Sequence, residues 1–371
     1  MQNSKLQISL SNASKIYFPG QVVRGEVELY LNEPLSFSVI ITSISGIATI
    51  KTHGTEGSPQ RNKRVRVYFE KVFQFCSLSD GVNNKNPLWN EGSHKYNFTY
   101  KLPKGIPSSF ESPDGHVRYK ICAFVDAAET QNQNLTDMRF FCVNSVLNLN
   151  GINKISSPKT VFKHDELSCL CIRFRTVSVV LSLMKRGFVP GENIVINAVV
   201  YNGTSSVIPR VEAKLVQRVK YNFKNYSTEL KGTVAEIVRG PVMPSESQIW
   251  RNEKLLIPPV VTSQLLCGNL INVDYKMCFT AVQVSQVENV AIKIPVIIGN
   301  VPLLNDAKSF NTGSGDPPMA VHSLPMPNNE PCHFGPYNIV DYCGPLKYST
   351  NYIPKYSTYS MANVCYEETP V

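Results

Sequence analysis

Four places in the 371-residue sequence crowd reactive side chains together. Cys169-Leu-Cys171 has the thiols to begin a zinc site, with His164 nearby, since Zn2+ takes thiolate and imidazole. Such a site needs two more ligands at sensible spacing, and His164 alone is weak support. His164-Asp165-Glu166 offers a base and two carboxylates, but strand alternation would splay adjacent side chains to opposite faces. Gly313-Ser-Gly315-Asp has the glycines of a phosphate loop but precedes Pro-Pro instead of a helix. RNKRVRV concentrates positive charge in Arg61, Lys63, Arg64 and Arg66, which suits an acidic partner; a solvated loop opening a strand is the plainer reading. No GxSxG elbow, HExxH, Walker loop or Rossmann fingerprint occurs. Neither catalysis nor a cofactor is expected.

What would position these groups is a repeated β-type unit. Residues 17–31 read YFPGQVVRGEVELYL and residues 187–201 read GFVPGENIVINAVVY. Proline cannot continue a ladder and glycine accepts positive φ, so each Pro-Gly marks a tight turn. After the first turn Val23, Gly25, Val27, Leu29 and Leu31 share a face, and Arg24, Glu26, Glu28 and Tyr30 share the other. In the second copy Ile194, Ile196, Ala198 and Val200 form the buried row. A second matched pair follows in the same order. LPKGIPSSFESPDGHVRYKICAFV (102–125) and LIPPVVTSQLLCGNLINVDYKMCF (256–279) each hold an aliphatic-Pro, a Ser, a polar break and a strand with Tyr-Lys. Two copies of so long a unit mean duplicated domains, not a solenoid. Helical spacing is sparse, and strand runs recur between Gly, Pro, Asn and Ser, so the fold class is all-β: two tandem antiparallel β-sandwiches.

The expected divisions are a sandwich over 1–149, a linker over 150–161, a second sandwich over 162–304, and a disordered Pro/Tyr-rich tail over 305–371. The tail holds seven tyrosines from Gly335 onward and a net charge of −3, leaving +12 on the rest of the chain. A basic body favours anionic lipid or phosphorylated peptide; nucleic acid is excluded because no aromatic RNA platform or recognition helix accompanies the basic run. The polar N-terminus reads as no signal peptide and no apolar stretch reaches bilayer length, so a cytosolic protein is expected. The ten cysteines are then expected to be reduced thiols packed as small hydrophobes.

In series these segments resemble the arrestin family, and its α-arrestin (arrestin domain-containing) branch in particular. YFPGQVVRGEVEL, SISGIATIK and the 102–125 segment carry the resemblance in the first unit. RGFVPGENIVINAVVYNGTSS, WRNEKLLIPPV, LINVDYKMCF and IKIPVIIGNVPL carry it in the second. The resemblance implies two immunoglobulin-like sandwiches, cupped and hinged, that act as a non-catalytic adaptor. The body would engage cytoplasmic regions of membrane proteins at the plasma membrane and endosomes. The tail would recruit endocytic or ubiquitin-ligase machinery. Two other readings remain: an arrestin-fold subunit of a retromer-type coat, and a redox-linked signalling scaffold. Relatives in this branch often carry Pro-Pro-x-Tyr for WW domains of HECT-type ligases, where a polyproline segment lies on an aromatic groove. Here Pro317-Pro318 lacks the tyrosine, and the nearest equivalent is Ile353-Pro354-Lys355-Tyr356, with one ring contact fewer. Tyr337-Asn-Ile-Val340 fits the Tyr-x-x-apolar pattern that clathrin adaptors read as an added strand. Arg173 and Arg175 would share a strand face, either wet or in a buried ion pair.

Overall fold

The two Pro-Gly turns fold alike, and each opens a β-sandwich. In the computed structural model Gly20 takes φ 86° and Gly191 φ 89°, the value that the third residue of a type II turn needs. The Gln21 amide donates to the Phe18 carbonyl at 3.1 Å, and the Glu192 amide donates to the Val189 carbonyl at 3.1 Å. The same two side chains accept in return: Gln21 Oε1 from the Phe18 amide and Glu192 Oε2 from the Val189 amide, each at 3.0 Å. The structure describes residues 4–51, 63–76, 88–126, 135–167, 175–263, 270–283, 289–304, 326–344 and 346–360. Among these only Leu304 is α-helical.

The chain divides into two lobes. The first comprises Met1–Ser145, Leu266–Ile271 and Phe334–Lys355; the second comprises Val146–Leu265, Asn272–His333 and Tyr356–Val371. In the first, Lys5–Leu10, Val22–Leu31 and Gly92–Lys101 make a three-stranded sheet. Its larger sheet runs Ile16–Tyr17, Thr136–Val143, Gly115–Asp126, Val39–Lys51, Lys63–Phe75, with Phe110–Glu111 beside Gly115–Asp126. In the second lobe, Lys159–Leu167, Arg175–Leu183, Asn193–Asn202 and Ser247–Leu256 face a sheet of Gly187–Phe188, Val290–Ile298, Ile271–Val282, Arg210–Asn222 and Ser227–Arg239. The short strand before each Pro-Gly runs parallel to its neighbour, Ile16–Tyr17 to Thr136–Val143 and Gly187–Phe188 to Val290–Ile298, whereas those neighbours pair antiparallel with Gly115–Asp126 and Ile271–Val282.

Period-two alternation fills both interiors. Val23, Val27 and Leu29 are fully buried in the first lobe, as are Ile194, Ile196 and Val200 in the second. Each such side chain contributes about 1.5–3 kcal/mol by leaving water. The matched Ser and Tyr of the second repeat lock each lobe. Ser109 Oγ accepts from the Val143 amide at 3.0 Å and Ser263 Oγ from the Ile298 amide at 2.9 Å. Tyr119 donates its buried hydroxyl to the Pro107 carbonyl at 2.7 Å, and Tyr275 donates to the Val261 carbonyl at 2.6 Å.

Two stretches differ from the reading of the sequence. Residues 150–161, read as a linker, include buried Ile155, and the strand Lys159–Leu167 starts within them. The larger difference is in the tail, where the composition spoke for disorder. Residues 326–344 and 346–360 contain the strands Asn328–Pro331, Tyr337–Cys343, Leu346–Tyr352 and Lys355–Thr358. The physical reason is borrowed core: Ile339, Cys343, Tyr356 and Tyr359 are each no more than 5% exposed, because existing sandwich surface covers them. Residues 305–325 and 361–371 lie outside the described residues.

Candidate partner-docking face

Alternation in Gly115–Asp126 sends Val117, Tyr119, Ile121 and Ala123 into the first lobe's core. His116, Arg118, Lys120, Cys122 and Phe124 therefore stand on the outer face of the sheet, where a sandwich ordinarily meets water. Here the hairpin formed by Tyr337–Cys343 and Leu346–Tyr352 lies on that face. Asp341 is its charged anchor. Lys120 Nζ donates to Asp341 Oδ1 at 2.7 Å and to the Tyr342 carbonyl at 2.7 Å, and an Arg118 nitrogen stands 3.8 Å from Asp341 Oδ2. Arg118 itself is held by a two-point bond to Glu111, at 2.6 and 2.8 Å. The two-point geometry offsets the cost of burying both charges and fixes the guanidinium that Asp341 approaches.

Aromatic contacts complete the seat. The rings of Phe140 and Tyr352 are 5.0 Å apart, the Tyr352 hydroxyl donates to the Phe141 carbonyl at 3.3 Å, and Thr136 bonds the Tyr348 hydroxyl. Cys122, Met138 and Cys343 form a buried apolar cluster flanked by Phe124, Phe140 and Tyr348. Beside the hairpin lies an indentation of about 260 Å³, lined by Lys51, Glu111, His116 and Arg118 together with Tyr337 and Val340. Burial, reinforced by Arg118, Lys51, Lys63 and Lys120, holds the His116 imidazole well below its usual pKa, so it is neutral at pH 7.

The predicted site residues fall in three places. Lys63, Arg64 and Arg66 are exposed on the edge strand Lys63–Phe75, with the Arg66 guanidinium 5.7 Å from the Tyr68 ring centre; Arg61 lies outside the described residues. Lys63 pairs in register with Lys51, which brings one end of the basic strand to the indentation shared with Tyr337 and Val340. In the hairpin Tyr337 is half-buried and Val340 exposed, with Val340 opposite Ser349. Ile353 is half-buried, Pro354 is buried, and Tyr356 is 4% exposed on Lys355–Thr358, which pairs with Asn328–Pro331. The WW-like stretch is thus part of a β structure and is not an exposed polyproline segment.

The cysteine expectation needs correction. Cys122 and Cys343 form a disulfide across 221 residues, with Cα atoms 5.5 Å apart, whereas Cys76, Cys142 and Cys278 keep free thiols. A hydrophobic site that buries two thiols within bridging distance makes the bond geometrically available. Sequence reading also missed Lys120 and Arg118 with their partners Asp341 and Glu111. The Tyr-Lys pair was the signal for Lys120, but nothing local links it to residue 341. His164 bonds Ser178 Oγ at 2.8 Å on an exposed strand. Cys169, Cys171, Arg173 and the Gly313 stretch lie outside the described residues, as does everything but the backbone of Arg175. Among the described residues no group of three His, Cys, Asp or Glu side chains is placed to hold a metal, and no helix is long and apolar enough to cross a membrane.

Comparison with known proteins matches the same two lobes. Residues 6–150 fit the family model described as the arrestin (or S-antigen) N-terminal domain, and residues 174–303 fit the corresponding C-terminal domain. The chain is 28% identical over 324 residues to human arrestin domain-containing protein 1, covering 86% of this chain and 70% of that one. It is 26% identical over 320 residues to Caenorhabditis elegans arrestin domain-containing protein 17, covering 82% and 72%. Against the thioredoxin-interacting protein of Pongo abelii it is 24% identical over 334 residues, covering 88% and 83%. With both domains matched in order and the duplicated turns, serines and tyrosines in equivalent places, the chain belongs to the arrestin family, in its α-arrestin branch.

Proposed function

We propose that this arrestin-family adaptor links cytoplasmic regions of membrane-protein cargo to endocytic and ubiquitin-ligase machinery, working in the cytoplasm and peripherally at the plasma membrane and endosomes. The observation that supports it is the first lobe's outer sheet face, which already holds a peptide. Lys120 and Arg118 take a carboxylate, and Phe140 takes an aromatic ring. A surface that seats an acidic, tyrosine-bearing segment of its own chain has the chemistry to seat one from another protein. The exposed Lys63, Arg64 and Arg66 favour anionic partners, whether acidic cargo segments or the membrane surface. The tail supplies two short recognition segments, Tyr337–Val340 for clathrin adaptors and Ile353–Tyr356 for a WW-domain ligase. Both are folded against the body, so each would act once the tail lifts.

Proximity labelling in cells, with the full chain and with a chain ending at residue 325, tests this. Membrane transporters or receptors are expected near both forms, and a WW-bearing ligase only near the full chain. Neighbours that are uniformly nuclear or metabolic would overturn the reading.

A further inference from the structure

The hairpin over the first lobe is held by one covalent bond and a small set of polar and ring contacts. Of its first strand only Ile339 and Cys343 are buried, at 2% and 0% exposure, while Val340 and Tyr342 are 44% and 60% exposed. A two-stranded hairpin alone is marginal in water, so this one folds because the sheet and the Cys122–Cys343 bond hold it. The charged contact is a single carboxylate, Asp341, and the ring contact is with Phe140 on Thr136–Val143, the strand beside the sheet's short edge strand Ile16–Tyr17. Two hydroxyl contacts complete the seat, Tyr352 to the Phe141 carbonyl at 3.3 Å and Tyr348 with Thr136, and the tail beyond the hairpin is anchored on the second lobe. There the Tyr359 amide donates to the Pro190 carbonyl at 2.9 Å and its hydroxyl to the Asn300 carbonyl at 2.7 Å. The hairpin can therefore leave its seat while the chain beyond it stays fixed.

We propose that Cys122–Cys343 is a thiol–disulfide exchange site that clasps the hairpin over the docking face, and that its reduction by a dithiol frees both the face and the Tyr337–Val340 segment. The compartment rests on the adaptor reading above: in a cytoplasmic protein a disulfide is ordinarily reversible and regulatory, while a secreted one is structural. The sulfurs lie in an apolar cluster at 4% and 0% residue exposure, so exchange follows local opening of the hairpin. One thiolate of the dithiol attacks a bridging sulfur and forms a mixed disulfide, and the other cysteine leaves as a thiolate that takes a proton. The second thiol of the reductant, deprotonated, then attacks the mixed disulfide and releases the remaining cysteine. Two electrons pass to the protein, two cysteine thiols form, and the reductant departs as its own disulfide. The reduced form is tolerated where it stands: the Cys343 sulfur lies 3.6 Å from the Ala123 carbonyl oxygen and 3.5 Å from that of Asp137, both able to accept from a thiol. What changes is the effective concentration of hairpin at the face, since the bond closes a loop of 221 residues.

The test uses the full chain purified without reductant. Alkylation and mass mapping, with and without dithiothreitol, read the bond directly. Trypsin cleavage after Lys347, inside the second hairpin strand, reads release. Cleavage is expected to rise roughly 100-fold or more on reduction, as loss of a long-loop crosslink implies. Cys343→Ser, which alters only the tail, should cleave at the fast rate without reductant, and Cys278→Ser should behave as the parent chain. Free thiols at both Cys122 and Cys343 in the air-oxidised chain, or a cleavage rate that reduction leaves unchanged, would overturn the proposal. No partner enters these readouts, so failure of the adaptor reading would leave them intact.

Discussion

The two lobes write related strands, HVRYKICAF at 116–124 and NVDYKMCFT at 272–280, which share Val, Tyr, Lys and Cys at matched places and use them differently. Inward, they agree: Tyr119 and Tyr275 are buried and bond a carbonyl of the preceding loop. Outward, they diverge. Lys120 and Cys122 are taken by the tail hairpin, one as an ion pair and one as a disulfide. Their counterparts stay open: Lys276 forms no ion pair among the described residues, and Cys278 is a half-buried free thiol. Burial pushes the Cys278 thiol up, while Lys293, Lys276 and Lys231 pull against it. The turns show the reverse asymmetry. A methyl group on Gly20 would meet only the Lys104 side chain at 3.5 Å, but on Gly191 it would meet the Tyr359 backbone at 2.1 Å. Duplication preserves the interior, where each bond serves its own lobe, and leaves the surfaces to separate; the tail exploits an outer sheet face in one lobe and a turn in the other.

The largest expected effect is at that turn. Both Gly20→Ala and Gly191→Ala carry the strain of a left-handed residue, about 1–2 kcal/mol. Gly191→Ala must also push the Tyr359 backbone away, for a total of about 3 kcal/mol or more. Hydrogen exchange of the second lobe should show both that loss and deprotection of the last described tail residues; equal effects for the two variants would break the comparison.

Next come the buried tyrosines. Tyr275→Phe removes the donor to Val261 and leaves the Gln217 amide, now 2.8 Å from that hydroxyl, without its acceptor. A loss of about 2 kcal/mol is expected, against about 1 kcal/mol for Tyr119→Phe, which unpairs the Pro107 carbonyl. Denaturant midpoints of the two variants decide it.

Acid should separate the lobes by somewhat less. His116 stays neutral in the folded lobe because its pKa is depressed, while the unfolded chain protonates it near pH 6.5. The unfolded state thus binds more protons as pH falls below about 6.5, and stability falls with it, by at most about 1.4 kcal/mol per pH unit, until the folded-state pKa is passed. The counterpart in the second lobe is Asn272, which does not titrate. Unfolding followed from pH 7 to 5 should lose its first-lobe slope in His116→Gln; an unchanged slope would assign it to other groups. The smallest effect is expected at the lysines. Lys120→Met should loosen the hairpin by about 1 kcal/mol and Lys276→Met by about zero, read as protease protection at Lys347.

Much of the interior was legible because its information is local. Pro-Gly before an alternating strand names a turn and a buried row within fifteen residues, and a second copy confirms that the spacing is constrained. The Ser and Tyr of the 102–125 segment repeat in 256–279 for the same reason, since each bonds within its own lobe. The tail was not legible in this way. Its composition is that of a chain that cannot build a core, and that judgement holds for the tail alone; Ile339, Cys343, Tyr356 and Tyr359 find their core on surfaces made elsewhere. The tail segments Tyr337–Val340 and Ile353–Tyr356 could be named from residue type, but their accessibility could not.

The sequence by itself determined the all-β class, the duplication and the family, because alternation and turn chemistry act between near neighbours. Only the tertiary structure decided that the hairpin covers the first lobe, that Asp341 meets Lys120, and that Cys122 bonds Cys343. Those pairings join residues more than two hundred positions apart, and no spacing along a chain encodes which distant surfaces will have the shape, charge and apolar area to meet.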